Sequence, residues 1–512
     1  MLYPIGIQNF EDLRKGEYVY IDKTALLYEL VATGKYYFLS RPRRFGKSLL
    51  ISVLEAYFKG KKELFDGLAM EKLECDWTEY PVLHVDFSGG NYGSKDSLGQ
   101  KLSSILGLWE DEYGIRSDYT DYGIRFQQVI DAAYFKTGRQ VVVLVDEYDR
   151  PIVDNLDNSE LWESFRSVLQ GFYSVLKSRD GKIRFGFLTG VTKIGKMSVF
   201  SGLNNLNDIS MYPEYADICG ISEEDLRATF DDSVVELAAA NGLTREECYT
   251  KLKEMYDGYH FSEDSVGVYN PFSLLNTFKS NKFRDYWFET GTPNFLAKAL
   301  RDGRYSLDDL EGINMDSWSL SKVSGDLTDA VSVLYQAGYL TIKGYDPEFG
   351  DYQLGYPNKE VEQGFMKCLS SYFTPMEKNR TEFSVRNFVN DVRNGDVEGF
   401  MKRLTAFFAD NDYTQGNAEL YFRNTLYVLL KLMGFYVEVE RHTSNGRIDV
   451  LMKTDRYVYV FELKVDKGAD TAMDQIRDKG YDWPFKADGR HIFRVGACFS
   501  STTRRLEDWK AE

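Results

Sequence analysis

Along the first 220 residues, short apolar runs alternate with longer amphipathic stretches. The clearest runs are "YYFLS" (36–40), "VLHVDFS" (82–88), "QVVVLVDEYD" (140–149) and "IRFGFLTG" (183–190). The third holds five consecutive apolar residues, Val141 to Val145, and then ends in acids. An unbroken run of that kind suits a strand buried on both faces of a parallel sheet, with the amphipathic stretches as crossover helices. From about Ile221 the texture turns helical, and "SEEDLRATF" offers a serine cap before an acidic first turn. Residues 327–373 read as helix, glycine, strand, turn, strand, helix, which suits a winged-helix unit or another small α+β lid. After "TPMEKNR" a third, α/β texture starts near Phe383 and is distinct by about residue 405. No internal repeat is evident, and the expected partition is 1–220, 221–380 and 381–512.

The C-terminal region has a legible local pattern. Over 418–433, Phe422, Leu426, Leu429, Leu430 and Met433 make one apolar stripe at helical spacing, with Glu419 one turn ahead of Phe422. "FYVEVER" reads as a strand and Ser-Asn-Gly as a turn. "RIDVLMK" and "RYVYVFELKV" read as two further strands joined at Thr454–Asp455 into a hairpin. Side chains alternate along a strand, so Glu462 and Lys464 share one face while Tyr459, Phe461, Leu463 and Val465 share the other. On the preceding strand, Asp449 lies on the face opposite Ile448 and Val450. If the two polar faces coincide, Asp449, Glu462 and Lys464 form one cluster.

Composition narrows the class. A chain of 512 residues is too long for one ordinary core, and two to four domains is the expectation. With 43% hydrophobic and 28% charged residues it reads as an ordinary folded protein. No apolar run is long enough for a membrane span, and the first residues lack the basic and apolar regions of a secretory signal. Cys75, Cys219, Cys248, Cys368 and Cys498 are odd in number and far apart, so neither a disulfide framework nor a zinc knuckle is expected, and a reducing cytoplasm is the natural home. The net charge of −17 runs against nucleic acid at first sight. From Thr405 onward, however, 17 acidic residues face 16 basic ones, so a basic groove could still form there.

The stretch "FLSRPRRFGKSLLISVLEAYF" (38–58) places a loop between a strand and an apolar helix. In a phosphate-binding loop, backbone N–H groups at such a turn cradle phosphates, a lysine reaches the β- and γ-phosphates, and a hydroxyl ligates Mg²⁺. Lys47 and Ser48 occupy those two positions, Gly46 allows close backbone approach, and Arg43 and Arg44 could add charge-assisted contacts. Arg41 stands where the usual G-x-x-x-x-G-K-[ST] pattern has its first glycine. Its Cβ disfavours positive φ, so either the loop takes another shape or that glycine is not geometrically required. "VVVLVDEYD" supplies Asp146 as the metal-side acid and Glu147 as candidate general base. Thr189, near the end of "IRFGFLTG", could sense a γ-phosphate. His84 and Asp86 alternate on one strand face and read as a satisfied strand-end pair, while Lys193 and Lys196 read as solvated lysines.

Together, "YIDKT" (20–24), "SRPRRFGKSLL", "VVVLVDEYD", "FLTGVTKIGK" and "FSGLNNLNDIS" resemble the AAA-ATPase-like family of bacterial proteins. In that family the loop itself reads R-P-R-R-F-G-K-S, which makes Arg41 a family feature. The resemblance covers roughly 1–220, and the helical region that follows fits the lid of such ATPases. It implies that Lys47, Ser48, Asp146 and Glu147 keep their usual roles toward ATP and Mg²⁺.

Two carboxylates beside a lysine have a chemical purpose of their own. Asp449 and Glu462 could bind Mg²⁺ or Mn²⁺, and Lys464 could orient or deprotonate water or stabilise a pentacovalent phosphate. E-x-K alone usually means a solvated ion pair. With Glu419 on the preceding helix, "GRID" before the hairpin turn and "DQIRDKGY" after it, the region 405–500 resembles the PD-(D/E)xK nuclease superfamily. The resemblance implies an active-site triad of Asp449, Glu462 and Lys464, with Glu419 as an accessory metal-side acid. It also implies that Gln475 and Tyr481 are supporting residues on the next helix. Ile448 replaces the proline of the superfamily's name.

The expected protein is therefore an α/β multidomain chain with a P-loop NTPase parallel-sheet core, a helical or winged-helix lid and a C-terminal restriction-endonuclease-like domain. Its expected ligands are ATP, Mg²⁺ or Mn²⁺, and nucleic acid, DNA rather than RNA. Two alternatives are a nucleic-acid-binding protein whose nuclease-like domain does not cut, and a signalling NTPase with that domain as a platform.

Overall fold

The computed structural model describes residues 1–156, 158–193, 200, 205–288, 300, 306–321, 330–373, 381–409, 418–434, 438–444, 447–487, 489–503 and 505–512. At 321, 371, 373, 381–384, 409, 418–419, 421, 438–444 and 447–449 only the backbone is described. The chain clusters into two compact units, Met1–Gly291 with Gly312–Val361, and Thr292–Glu311 with Glu362–Glu512.

The first unit is built on a parallel sheet of β1 (Tyr36–Ser40), β2 (Val82–Asp86), β3 (Val141–Asp146), β4 (Ile183–Gly190) and β5 (Asn207–Asp208), in the order β2-β3-β4-β1-β5. Every residue of β3 is buried, because α1 (Lys47–Phe58) and α2 (Tyr122–Thr137) pack against it. That explains the unbroken apolar run. The strand stops at Asp146, and Glu147–Asp149 form the turn beyond it. Because β4 lies between β1 and β3, the phosphate loop after β1 and the acids after β3 meet at one carboxyl edge, with Thr189 between them. Ligands in open α/β sheets gather at such an edge.

After β6 (Ile221–Ser222) come α3 (Glu223–Thr229), α4 (Asp231–Asn241), α5 (Arg245–Tyr256), β7 (Val268–Tyr269) and α6 (Pro271–Ser280). Ser222 caps α3 in a reciprocal box closed by Asp225. Leu226, Phe230, Val234, Leu237, Leu252 and Phe278 form their common core, against which Tyr3 and Ile21 pack. The unit ends with a three-stranded sheet of β8 (Asn314–Asp316), β9 (Thr341–Asp346) and β10 (Asp351–Gly355), with α7 (Ala330–Ala337) before β9. α8 (Lys359–Phe373) follows β10, giving the helix–strand–turn–strand–helix order read from 327–373.

The second unit holds α9 (Thr381–Asn394), α10 (Val397–Ala409) and α11 (Ala418–Gly434). Its mixed sheet runs β11 (Glu438–Ser444), β12 (Arg447–Lys453), β13 (Tyr457–Val465), β14 (His491–Phe499) and β15 (Leu506–Ala511), with α12 (Ala469–Lys479) between β13 and β14. The stripe of α11 is buried as its spacing predicts. The same helix is gripped by 307–311: Arg423 pairs with Asp308 at 2.6 Å, Asn424 accepts from Leu307 N at 2.9 Å, and Lys431 pairs with Glu311 at 2.7 Å. The expected Ser-Asn-Gly turn falls at Asn445 and Gly446, outside the described residues.

Candidate functional site

The phosphate loop begins with a buried arginine. Arg41 donates to the carbonyls of Ser40, Ser210 and Tyr215 at 2.8–2.9 Å and stacks on Phe261, 4.0 Å from its ring centre. Burial pushes its pKa down to about 10. Positive φ falls instead on Arg44 (69°) and Gly46 (94°), so the first glycine of the usual pattern is not geometrically required here. Phe45, also in the loop, is buried edge-on against Tyr259 and Phe261 at 4.8 and 5.6 Å. Such aromatic pairs contribute about 1 kcal/mol each beyond the area they bury.

Lys47 opens α1 and turns back onto the carbonyls of Arg41 and Pro42, 3.0 Å from each. Burial lowers its pKa, opposed by the nearby carboxylates of Asp146, Glu147 and Asp149. Asp146 accepts from the Thr189 hydroxyl at 2.6 Å, so Thr189 directly holds the acid at the end of β3. Glu147 stands at φ 53°, a left-handed conformation that a non-glycine residue keeps only when its surroundings impose it. Burial raises its pKa against the pull of Lys47 and of Arg150, which lies 3.2 Å from Oε2. A carboxyl raised in this way suits a general base. Ser48 is half-buried on the first turn of α1, Arg43 is half-buried and Arg44 is exposed.

Beside Gly46 opens a cavity of about 120 Å³, lined mainly by apolar groups including Tyr20, Ile21, Ile218, Phe230 and Leu275. Register sets Asp86 next to Asp146. His84 does not pair with Asp86: its Nδ1 lies 2.9 Å from Glu55 on α1, whose pKa falls to about 2 through that bond. Lys193 is not solvated, because Asp208 at the end of β5 holds it in a buried ion pair at 3.0 Å. Lys196 lies outside the described residues. The sequence reading also passed over Asp149, which accepts from Val191 N and from Thr192 N and Oγ1, tying the ends of β3 and β4 together. An acid two residues past the strand-end pair was the available signal.

In the second unit, antiparallel register sets Asp449 of β12 directly opposite Glu462 of β13. Such cross-strand partners share a face. The side chains of Asp449 and Glu419 lie outside the described residues. Glu462 is fully buried and bonded to Lys464, which also donates to Gln475 Oε1 at 2.6 Å. Gln475 Nε2 in turn lies 3.4 Å from Tyr481 Oη. Tyr481 is not on the helix with Gln475: α12 ends at Lys479 under Gly480, whose φ of 62° stops it. α12 sits close because Gly496, opposite Glu462 on β14, has no side chain; a Cβ there would come within 2.8 Å of Ala469 O. Carboxylate oxygens in this register suit a hard divalent ion.

Residues 4–200 match the family model described as a predicted AAA-ATPase, and residues 417–509 match that of the PD-(D/E)XK nuclease superfamily. Over 525 residues, spanning 99% of this chain and 98% of the other, the sequence is 38% identical to a protein of Azotobacter chroococcum mcd 1 named as an uncharacterized protein in the vnfD 5' region. Fold and sites thus define an ATPase-like unit joined to a nuclease-like one. The chain belongs to the AAA-ATPase-like family and carries a C-terminal PD-(D/E)XK nuclease superfamily domain. Among the described residues no helix is long and apolar enough to cross a membrane.

Proposed function

We propose that this protein binds and hydrolyses ATP and cleaves phosphodiester bonds of nucleic acid, DNA rather than RNA, with the first activity gating the second. The observation that carries the reading is the second-unit cluster, in which Asp449 faces Glu462 in register and Glu462 is bonded to a lysine held by Gln475. Asp449, Glu462 and Glu419 are the residues that would hold Mg²⁺ or Mn²⁺, which when bound stabilises charge on the phosphodiester and helps generate hydroxide. Lys464, fixed by its two partners, orients the attacking water and offsets charge building on the phosphate. A lone exposed E-x-K pair would need neither full burial nor a second partner from α12.

On the ATP side, Lys47 and the loop N–H groups receive the phosphates, with Arg43 and Arg44 at their edge, while Ser48 and Asp146 would hold the accompanying Mg²⁺. Glu147 takes the proton of the attacking water, and Thr189 keeps Asp146 in place. The cavity beside Gly46 has the apolar lining that suits a nucleoside base.

Plasmid nicking in Mg²⁺ or Mn²⁺, with and without ATP, tests the reading with Asp449→Ala and Lys47→Ala beside the wild type. Metal-dependent nicking lost in the first variant, and ATP dependence lost in the second, is the expected result. Equal nicking by all three proteins overturns it.

A further inference from the structure

The outer half of the phosphate loop, Pro42 to Arg44, is held by residues far away in sequence. The Trp287 indole donates to the Arg43 carbonyl at 3.1 Å. The Phe272 ring lies against the Arg44 guanidinium, 4.9 Å from its centre, at the residue whose φ of 69° needs support. Both arms lead to one carboxyl oxygen. Glu360 Oε1 accepts from Trp287 N at 2.8 Å and from the hydroxyl of Ser273, the residue after Phe272, at 3.0 Å. Glu360 is fully buried, an expensive place for a carboxyl unless it performs a task there. Pro42 is confined from the same side, since a Cβ on Gly338 would come within 2.6 Å of its Cβ.

We infer that Glu360, Phe272 and Trp287 form a bracket that positions the phosphate loop, so that nucleotide affinity is set from the 272–360 region as well as by the loop itself. The inference rests on reading the loop as a nucleotide site. Glu360 fixes where the two aromatic arms stand, and the arms hold the Arg43 carbonyl and the Arg44 side chain. Glu360 and Trp287 are therefore positioning residues, and their removal acts through one shared path.

The test is titration of a fluorescent ATP analogue into the full chain, with thermal melting of each variant. Trp287→Phe removes one N–H while keeping a ring, and is expected to weaken binding about ten-fold, the worth of one well-placed hydrogen bond. Glu360→Ala should weaken binding to a similar extent. The double variant should bind no worse than the weaker single, because the Trp287 arm already depends on Glu360. Glu360→Gln keeps an acceptor oxygen and should stay close to the wild type. If Glu360→Ala does not melt cooperatively, Trp287→Phe carries the test alone. Wild-type binding with an unchanged Trp287→Phe affinity, or fully multiplicative effects in the double variant, overturns the bracket. Absence of binding by the wild type removes the nucleotide reading itself, which is a separate result.

Discussion

Lys47 and Lys464 are both buried near carboxylates, but the first rests on two main-chain carbonyls and the second on a carboxylate and an amide oxygen. Carbonyls orient an ammonium without cancelling its charge. Burial therefore lowers the pKa of Lys47, and on the proposed function an arriving polyanion would restore the balance. In the second unit the balance is already struck inside the protein, between Glu462 and Lys464. A divalent ion or a phosphate entering there competes with an existing pair. On the proposed function, the first site would be completed by an anionic ligand, and the second would have to be opened by a ligand.

The comparison breaks most visibly at the second site. Lys464→Met, measured by plasmid nicking, should lower cleavage about a thousand-fold, the scale for losing one preorganised charge at a reacting phosphate. A fall of less than ten-fold would mean that the Glu462–Lys464 pair only holds the sheet together. At the first site, Glu147→Gln should leave ATP binding intact and slow hydrolysis about a hundred-fold, by phosphate-release assay. Equal turnover would remove Glu147 as the base.

Arg41→Gly sharpens the contrast between a loop held by neutral carbonyls and one held by charge. It restores the usual glycine but strips the Ser40, Ser210 and Tyr215 carbonyls of their donor. We expect a loss of about 3 kcal/mol, read from the first thermal transition, with no gain in nucleotide affinity. The smallest effect is a pH dependence. Burial raises the Glu360 pKa from 4.5 to about 8. A carboxyl raised in the folded state contributes its full stability below the unfolded value near 4.5 and loses it as pH rises through about 8. Melting temperature should therefore fall more steeply between about pH 4.5 and 8 in the wild type than in Glu360→Gln, and the two curves should run parallel above that; parallel curves throughout would show that Glu360 does not titrate there.

The parts legible in the sequence are those written in local period. Val141–Val145 announced a doubly buried strand, and strand alternation with a short turn brought Asp449 and Glu462 to one register. What escaped is held by partners far along the chain, which leave no periodic mark. The loop pattern shows that Arg41 replaces a glycine but not that it is held by the carbonyls of Ser210 and Tyr215, and Lys193 reads as solvated until Asp208 is set beside it. Glu360 looks like any acid at a helix start, although its meaning lies at Ser273 and Trp287. The resemblance puts Tyr481 on the helix of Gln475, whereas the positive φ of Gly480 ends α12 before it, a conformation that leaves no periodic mark.

The grip of 307–311 on α11 bears on how the chain comes off the ribosome. Leu307, Asp308 and Glu311 are synthesised long before Asn424, Arg423 and Lys431, the residues that receive them. They must wait while Gly312–Val361 is made and joins the first unit. Domains that fold in order of synthesis ordinarily finish one before the next begins. Here a piece of the second unit is laid down inside the first, so no single cut yields both units whole, and a nascent chain that stops before residue 423 leaves the strap without its helix.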